Sequence, residues 1–218
     1  MADAAKDNVN ESLGSKILVG LAIAVLTALF GYLMSYLDQH RKDQVAFVST
    51  QIEKLYGPLF ALVQANNTAW SHFRQSYWND RDDYFQKGVR LGPEEVELWR
   101  RWMRNVFQPM NIKMEAALVD NAQLLVGDRM PPMFLQFISH VEAYKSVIAN
   151  WKDGAASKPE DASAIENASP VAFPKQPDFS NCIVQQFHSL KALQQRLQGQ
   201  FIGGFQSLKE EIPKSCGL

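Results

Sequence analysis

The chain has 218 residues, of which 46% are hydrophobic and 21% charged; this supplies one sizeable core and excludes general disorder. Twenty-two Lys and Arg against twenty-three Asp and Glu leave a formal charge of −1, so no bulk field draws the chain to nucleic acid. Two cysteines, Cys182 and Cys216, are too few for a disulfide scaffold and lack a metal-ligand spacing.

Residues 1–16 form an N-terminal tail, and residues 17–37 follow as twenty-one consecutive positions without a charge. As a helix they span about 31 Å at about 1.5 Å per residue, which matches the hydrocarbon core of a bilayer. Tyr32 and Tyr36 lie near the second boundary as interfacial aromatics do, and Asp38, Arg41, Lys42 and Asp43 close it. A soluble helix of this kind would need apolar protein on every side. A cleavable leader fits poorly, because Asp3, Asp7 and Glu11 precede the run and no small-x-small site follows it. The expectation is an uncleaved anchor in the bilayer through residues 17–37. Lys6 and Lys16 precede the span and Arg41, Lys42 and Lys54 follow it. That excess of one base points to a cytoplasmic C-terminal domain, in keeping with two cysteines that look unpaired. Gly20, Ala24 and Ala28 recur every four residues and permit close helix packing, hence a homo-oligomer.

Residues 38–152 read as a helical bundle, and the chain beyond residue 16 is neutral overall, with twenty bases and twenty acids. Val45, Val48, Ile52, Leu55, Leu59, Leu62, Ala69 and Phe73 keep spacings of three and four, with Gly57-Pro58 as an interruption that kinks the helix or divides it. Residues 79–92 are polar and carry no stripe. Gly92-Pro93-Glu94-Glu95 starts a second helix, with proline and acids at its positive end. Its expected buried side is Val96, Trp99, Met103, Val106 and Met110, and Pro109 must kink or divide it. Met114, Leu118 and Leu125 continue the pattern, and Pro131-Pro132 opens a helix bearing Phe134, Phe137, Val141, Tyr144, Ile148 and Trp151.

Residues 153–179 hold four prolines without periodicity and read as a flexible linker. Residues 180–212 then form a C-terminal helix packing on the bundle through Ile183, Phe187, Leu190, Leu197, Phe201, Phe205 and Leu208, and residues 213–218 form a tail. No alternating β-branched run appears. The fold expected is all-α: one N-terminal transmembrane helix followed by an antiparallel four- to five-helix bundle.

Signatures of catalysis are missing from the sequence. No Gly-rich phosphate loop occurs, Gly203-Gly204 lies inside a helical pattern, and His40, His72, His140 and His188 form no Glu-x-x-His or His-x-x-x-His pair. Neither catalytic residue, metal nor cofactor is expected. Cys182 reads as packed, and Cys216 is one place short of a prenylation box. His140, Glu142 and Lys145 share one helix, while Asn111 and Glu115 share a face of another. Their readings are a polar pocket or, more simply, a buried network around His140 and Asn111 with a surface Glu142–Lys145 pair. Trp99 and Trp102 stand among Arg100, Arg101 and Arg104 and could form a basic aromatic patch for nucleic acid or lipid headgroups, but the helical spacing turns Trp99 and Met103 to the core and fans the arginines over solvent, which leaves Trp99 and Trp102 as candidate interaction residues.

The string Ile52-Glu53-Lys54-Leu55-Tyr56-Gly57-Pro58-Leu59 with Trp70 and Phe73, followed by Trp99, Trp102, Met103, Val106, Phe107, Pro109 and Asn111, then His140-Val141, Tyr144 and Trp151, resembles a family of uncharacterised bacterial single-pass membrane proteins with a helical domain. The likeness covers about residues 52–152. It implies a bacterial inner-membrane location and carries no activity. Together these readings lead to a membrane-anchored binding or scaffold module with a protein partner; an effector whose anchors oligomerise, and an enzyme with a polar site near His140, are the alternatives.

Overall fold

The computed structural model describes residues 3–78 (side chains from residue 15), 91–127, 129–151 and 167–199, and among these every regular element is helical. The chain divides into two compact units, Met1–Phe47 and Val48–Leu218.

The first unit is the bulk of α1 (Asp3–Gln51). It contains one stretch long and apolar enough to cross a membrane, and none of that stretch is buried by protein. Leu18 is 69% exposed and Phe30 60%. A helix in a soluble core would hide such side chains, because leaving each in water forfeits about 1.5–3 kcal/mol. The one hydroxyl mid-span is satisfied internally, Thr27 Oγ1 donating to the Ile23 carbonyl at 2.8 Å. Just past the span, Asp38 pairs with Arg41 and Lys42, both at 2.8 Å. The hydrogen bond from Lys42, ahead of the Arg41 charge, holds its carboxyl below the ordinary range.

The second unit is built from α2 (Gly57–Tyr77), α3 (Pro93–Trp102), α4 (Gln108–Asp120), α5 (Pro132–Asn150) and α6 (Asp178–Gly199). α2 packs on α4 and α6, and α4 packs on α5. The two expected breaks take the same form. Residues Ile52–Tyr56 and Met103–Phe107 are π-helical turns, each ending one residue before an X-Pro pair. A helical proline donates no hydrogen bond and its ring crowds the carbonyl four residues back. Widening the turn by one residue removes the conflict: the Gly57 N–H reaches Ile52 O, and the Gln108 N–H reaches Met103 O. The helix continues instead of dividing. The extra residue also re-phases the buried face, so Phe107 lies in the core where Val106 was expected, and Val106 is half-buried.

α3 begins as its sequence implies, with Pro93 in the first turn and the Gly92 N–H donating to Glu95 Oε2 at 2.7 Å. Phe73, Trp78, Trp99, Met103, Phe107, Tyr144 and Trp151 form the main aromatic core, with Phe73 edge-to-face with Trp78 at 4.6 Å between ring centres and tilted against Trp102 at 5.2 Å. A second group joins Phe134 and Phe137 of α5 to Phe173 and Phe179. The loop after α4 is tied to the first π turn: Gln51 Nε2 donates to Leu124 O at 2.8 Å and the Val126 N–H donates to Tyr56 Oη at 3.1 Å.

The linker expected over residues 153–179 ends in a packed segment. Asn167 is 1% exposed and Pro174 is buried, because three core donors converge on Asn167. Residues 152–166 lie outside the described residues, as do 79–90. On α6 the anticipated face holds for Ile183, Leu190 and Leu197, with Phe187 half-buried. Phe201, Phe205, Leu208 and Gly203-Gly204 are outside the described residues.

Candidate functional site

The residues singled out by sequence fall into separate places. Trp99 is core: 4% exposed, its indole N–H donates to Asn167 O at 3.1 Å. Tyr144 donates to the same carbonyl at 2.6 Å, and burial pushes its hydroxyl far above the ordinary range, so it stays a donor. Arg100, expected in solvent, is buried; its Nε donates to Asn167 Oδ1 at 2.9 Å and its guanidinium stacks on Trp151. The reason is geometric, since Asn167 and Trp151 offer an acceptor and a π face in one place. Arg104 stacks on Trp151 as well and donates to its carbonyl at 3.3 Å. Trp102 is half-buried, 5.9 Å from Tyr77.

Asn111 and His140 are buried as expected but do not meet in one network. Asn111 Oδ1 accepts from Asn66 Nδ2 at 3.2 Å, which joins α4 to α2. His140 Nδ1 lies 2.7 Å from Val171 O, which fastens α5 to the segment before α6. Burial pulls its imidazole below the ordinary range, with the carbonyl offsetting part of that, so the ring is a neutral Nδ1–H donor.

Glu115, Glu142 and Lys145 are brought together. Lys145 Nζ lies 3.0 Å from Glu115 Oε2 on α4 and 2.5 Å from Glu142 Oε1 on α5. The Glu142 pair is the surface pair the spacing implied; the Glu115 arm across the helices was not legible. Burial pushes the Glu115 carboxyl up, and the Glu142 carboxylate adds to that against the pull of Lys145. Lys145 holds Glu142 below the ordinary range. Beside them a shallow groove of about 340 Å³ runs between α4 and α5, lined by Arg104, Gln108, Pro109, Ile112, Lys145 and Ile148 among others. Gln108 Nε2 donates to Val141 O at 3.1 Å, while its Oε1 is buried without a partner.

Features the sequence did not disclose lie on the outer faces of α4 and α5. Ile112 is 40% exposed, Val119 53% and Leu135 53%. Ile112 and Val119 are seven apart, one heptad on one helical face. Among the described residues no group of three or more His, Cys, Asp or Glu is placed to hold a metal. Cys182 is 1% exposed, packed in the core as its place in the helical pattern implied. Gly20 has nothing within 4 Å of where a Cβ would stand, so the Gly20, Ala24, Ala28 stripe is an open face.

No protein-family model, no curated protein and no solved structure matches this chain.

Proposed function

We propose that this protein is a single-pass, membrane-anchored binding or scaffold module that serves a membrane-associated protein complex. The observation that carries the reading is the division of labour in the two units. One helix has an apolar surface that no protein covers, and buried polar groups of the helical unit are used on ties within that unit, Asn111 with Asn66, Arg100 with Asn167 and His140 with Val171. What remains outward includes apolar side chains: Ile112, which lines the α4–α5 groove, Val119 further along α4 and Leu135 near the start of α5. In this reading the helices form an antiparallel bundle, the membrane is the bacterial inner membrane implied by the family resemblance, and the partner is a protein. The reading includes no catalytic step, metal or nucleic acid.

The test uses the full chain purified in mild detergent. A species of fixed stoichiometry with a second polypeptide is expected, lost in Ile112→Glu/Val119→Glu while the melting temperature stays within about 4 °C of wild type, because two surface substitutions together cost up to about 1 kcal/mol. A chain that stays alone in native membranes under crosslinking would overturn the reading.

A second reading is favoured by the open face at Gly20: anchors that self-associate, making the protein an oligomerising effector. Here Gly20→Leu/Ala24→Leu abolishes self-crosslinking within the membrane; unchanged crosslinking would exclude it.

A further inference from the structure

On the outer side of α4, Gln108, Ile112, Glu115 and Val119 follow one another at steps of four, three and four. On α5, Leu135, Ile138, Glu142, Lys145 and Ala149 do the same at steps of three and four. This is the spacing of a helix seam, in which side chains of a further helix seat as knobs between the two rows. Gln108 and Glu115 are used in the contact with α5, through the Val141 carbonyl and Lys145, whereas Ile112 and Val119 stay 40% and 53% exposed. Arg104 meets Trp151 and Glu115 meets Lys145, so the two helices run in opposite directions and Val119 comes to the Leu135 end of α5. Apolar side chains thus stand toward both ends of the face, Ile112 with Ile148 and Val119 with Leu135.

Between them the face is acidic. Two carboxylates, Glu115 and Glu142, share the one ammonium of Lys145, and the Glu142 side chain is 57% exposed. The two helices together carry Glu115, Asp120 and Glu142 against Lys113 and Lys145. Gln108 Oε1, in the groove lining and without a donor, adds carbonyl partial charge of the same sign, while Arg104 is turned onto the ring and carbonyl of Trp151. An acidic occupant would meet like charge here, and a wholly apolar one would desolvate Glu142 with no new partner for it. We infer that this face docks an amphipathic helix of a partner protein, with apolar residues seven apart and a lysine or arginine between them set against Glu142. The inference rests on the binding-module reading and names the chemistry of the partner.

The probes are two synthetic peptides of three heptads, leucine at the first and fourth place of each, except that the middle heptad carries lysine or glutamate at its fourth. Their binding to the full chain in mild detergent is read by fluorescence anisotropy. The lysine peptide should bind about three- to tenfold tighter than the glutamate peptide at low salt, a gap that closes at high salt. Glu142→Lys should invert the preference, and Ile112→Glu/Val119→Glu should lose both peptides. Equal binding of the two peptides overturns the inference, as does a preference that Glu142→Lys leaves unchanged or binding that survives in Ile112→Glu/Val119→Glu. If Glu142→Lys does not fold, Glu142→Gln serves, and there the preference should vanish. The two failures are separable. A chain that selects the lysine peptide through Glu142 yet stays alone in crosslinked native membranes sinks the binding-module reading; a native complex lost in Ile112→Glu/Val119→Glu but indifferent to Glu142→Lys sinks only this inference.

Discussion

The same kinds of side chain behave in opposite ways in the two units. In α1, Leu18, Leu26 and Phe30 are 60–69% exposed, whereas in the helical unit Leu55, Leu59 and Phe73 are fully buried. Hydrophobicity is equal in both, so what differs is the solvent each demands. The helical unit makes its own apolar interior by bringing helices together, whereas nothing in the protein covers the apolar stretch of α1; on the membrane reading proposed above, lipid supplies that interior. Substitutions should therefore be felt as folding stability in one unit and as membrane partition in the other.

Phe73→Ala empties the centre of the aromatic core and should cost about 3–5 kcal/mol, read as a lower urea midpoint of the detergent-solubilised protein with the membrane-bound fraction unchanged. Leu26→Arg places a charge mid-span at about 2.5–3.5 kcal/mol in insertion; carbonate-resistant protein should fall while the melting temperature of the helical unit holds. If that variant unfolds the bundle instead, the two units are not separable in this way.

Glycine offers the same contrast in one chemical step. A Cβ at Gly57 would stand 2.6 Å from the Ile52 carbonyl oxygen, backbone that cannot swing aside, so Gly57→Ala should destabilise by about 1–3 kcal/mol. At Gly20 the space is open, and Gly20→Ala should be neutral or favourable by under about 1 kcal/mol. Equal melting curves for the two variants would contradict the first π turn as described. The mildest effect is a pH dependence confined to the helical unit. His140 has its folded pKa lowered, so its neutral form contributes stability above pH 6.5 that is lost as pH falls below it. The melting temperature should decline from pH 7 toward pH 5, and His140→Gln should flatten that decline.

Much of the helical plan was legible because periodicity is a local property. The starts at Pro93 and Pro132, the buried Phe134, Phe137 and Val141, and the apolar span follow from spacing, proline placement and the run of uncharged residues. Gly57-Pro58 and Pro109 were readable as disturbances, but not as π turns, because proline states only which hydrogen bond is missing. Whether the chain bends, breaks or widens depends on what the neighbouring helices accept. The polar residues were less legible still. Asn111 and Glu115 share a face of α4, yet one binds Asn66 and the other Lys145, partners 45 and 30 positions away.

The sequence by itself determined that the protein is helical, where it carries an apolar stretch of bilayer length, and which side chains seek an interior, since each follows from residue type and short-range spacing. Tertiary structure alone decided that Asn167 draws Trp99, Arg100 and Tyr144 to one point, that Lys145 spans α4 and α5, and that Ile112, Val119 and Leu135 stay outside. Those outcomes depend on which distant segments meet, and a one-dimensional pattern carries no record of that.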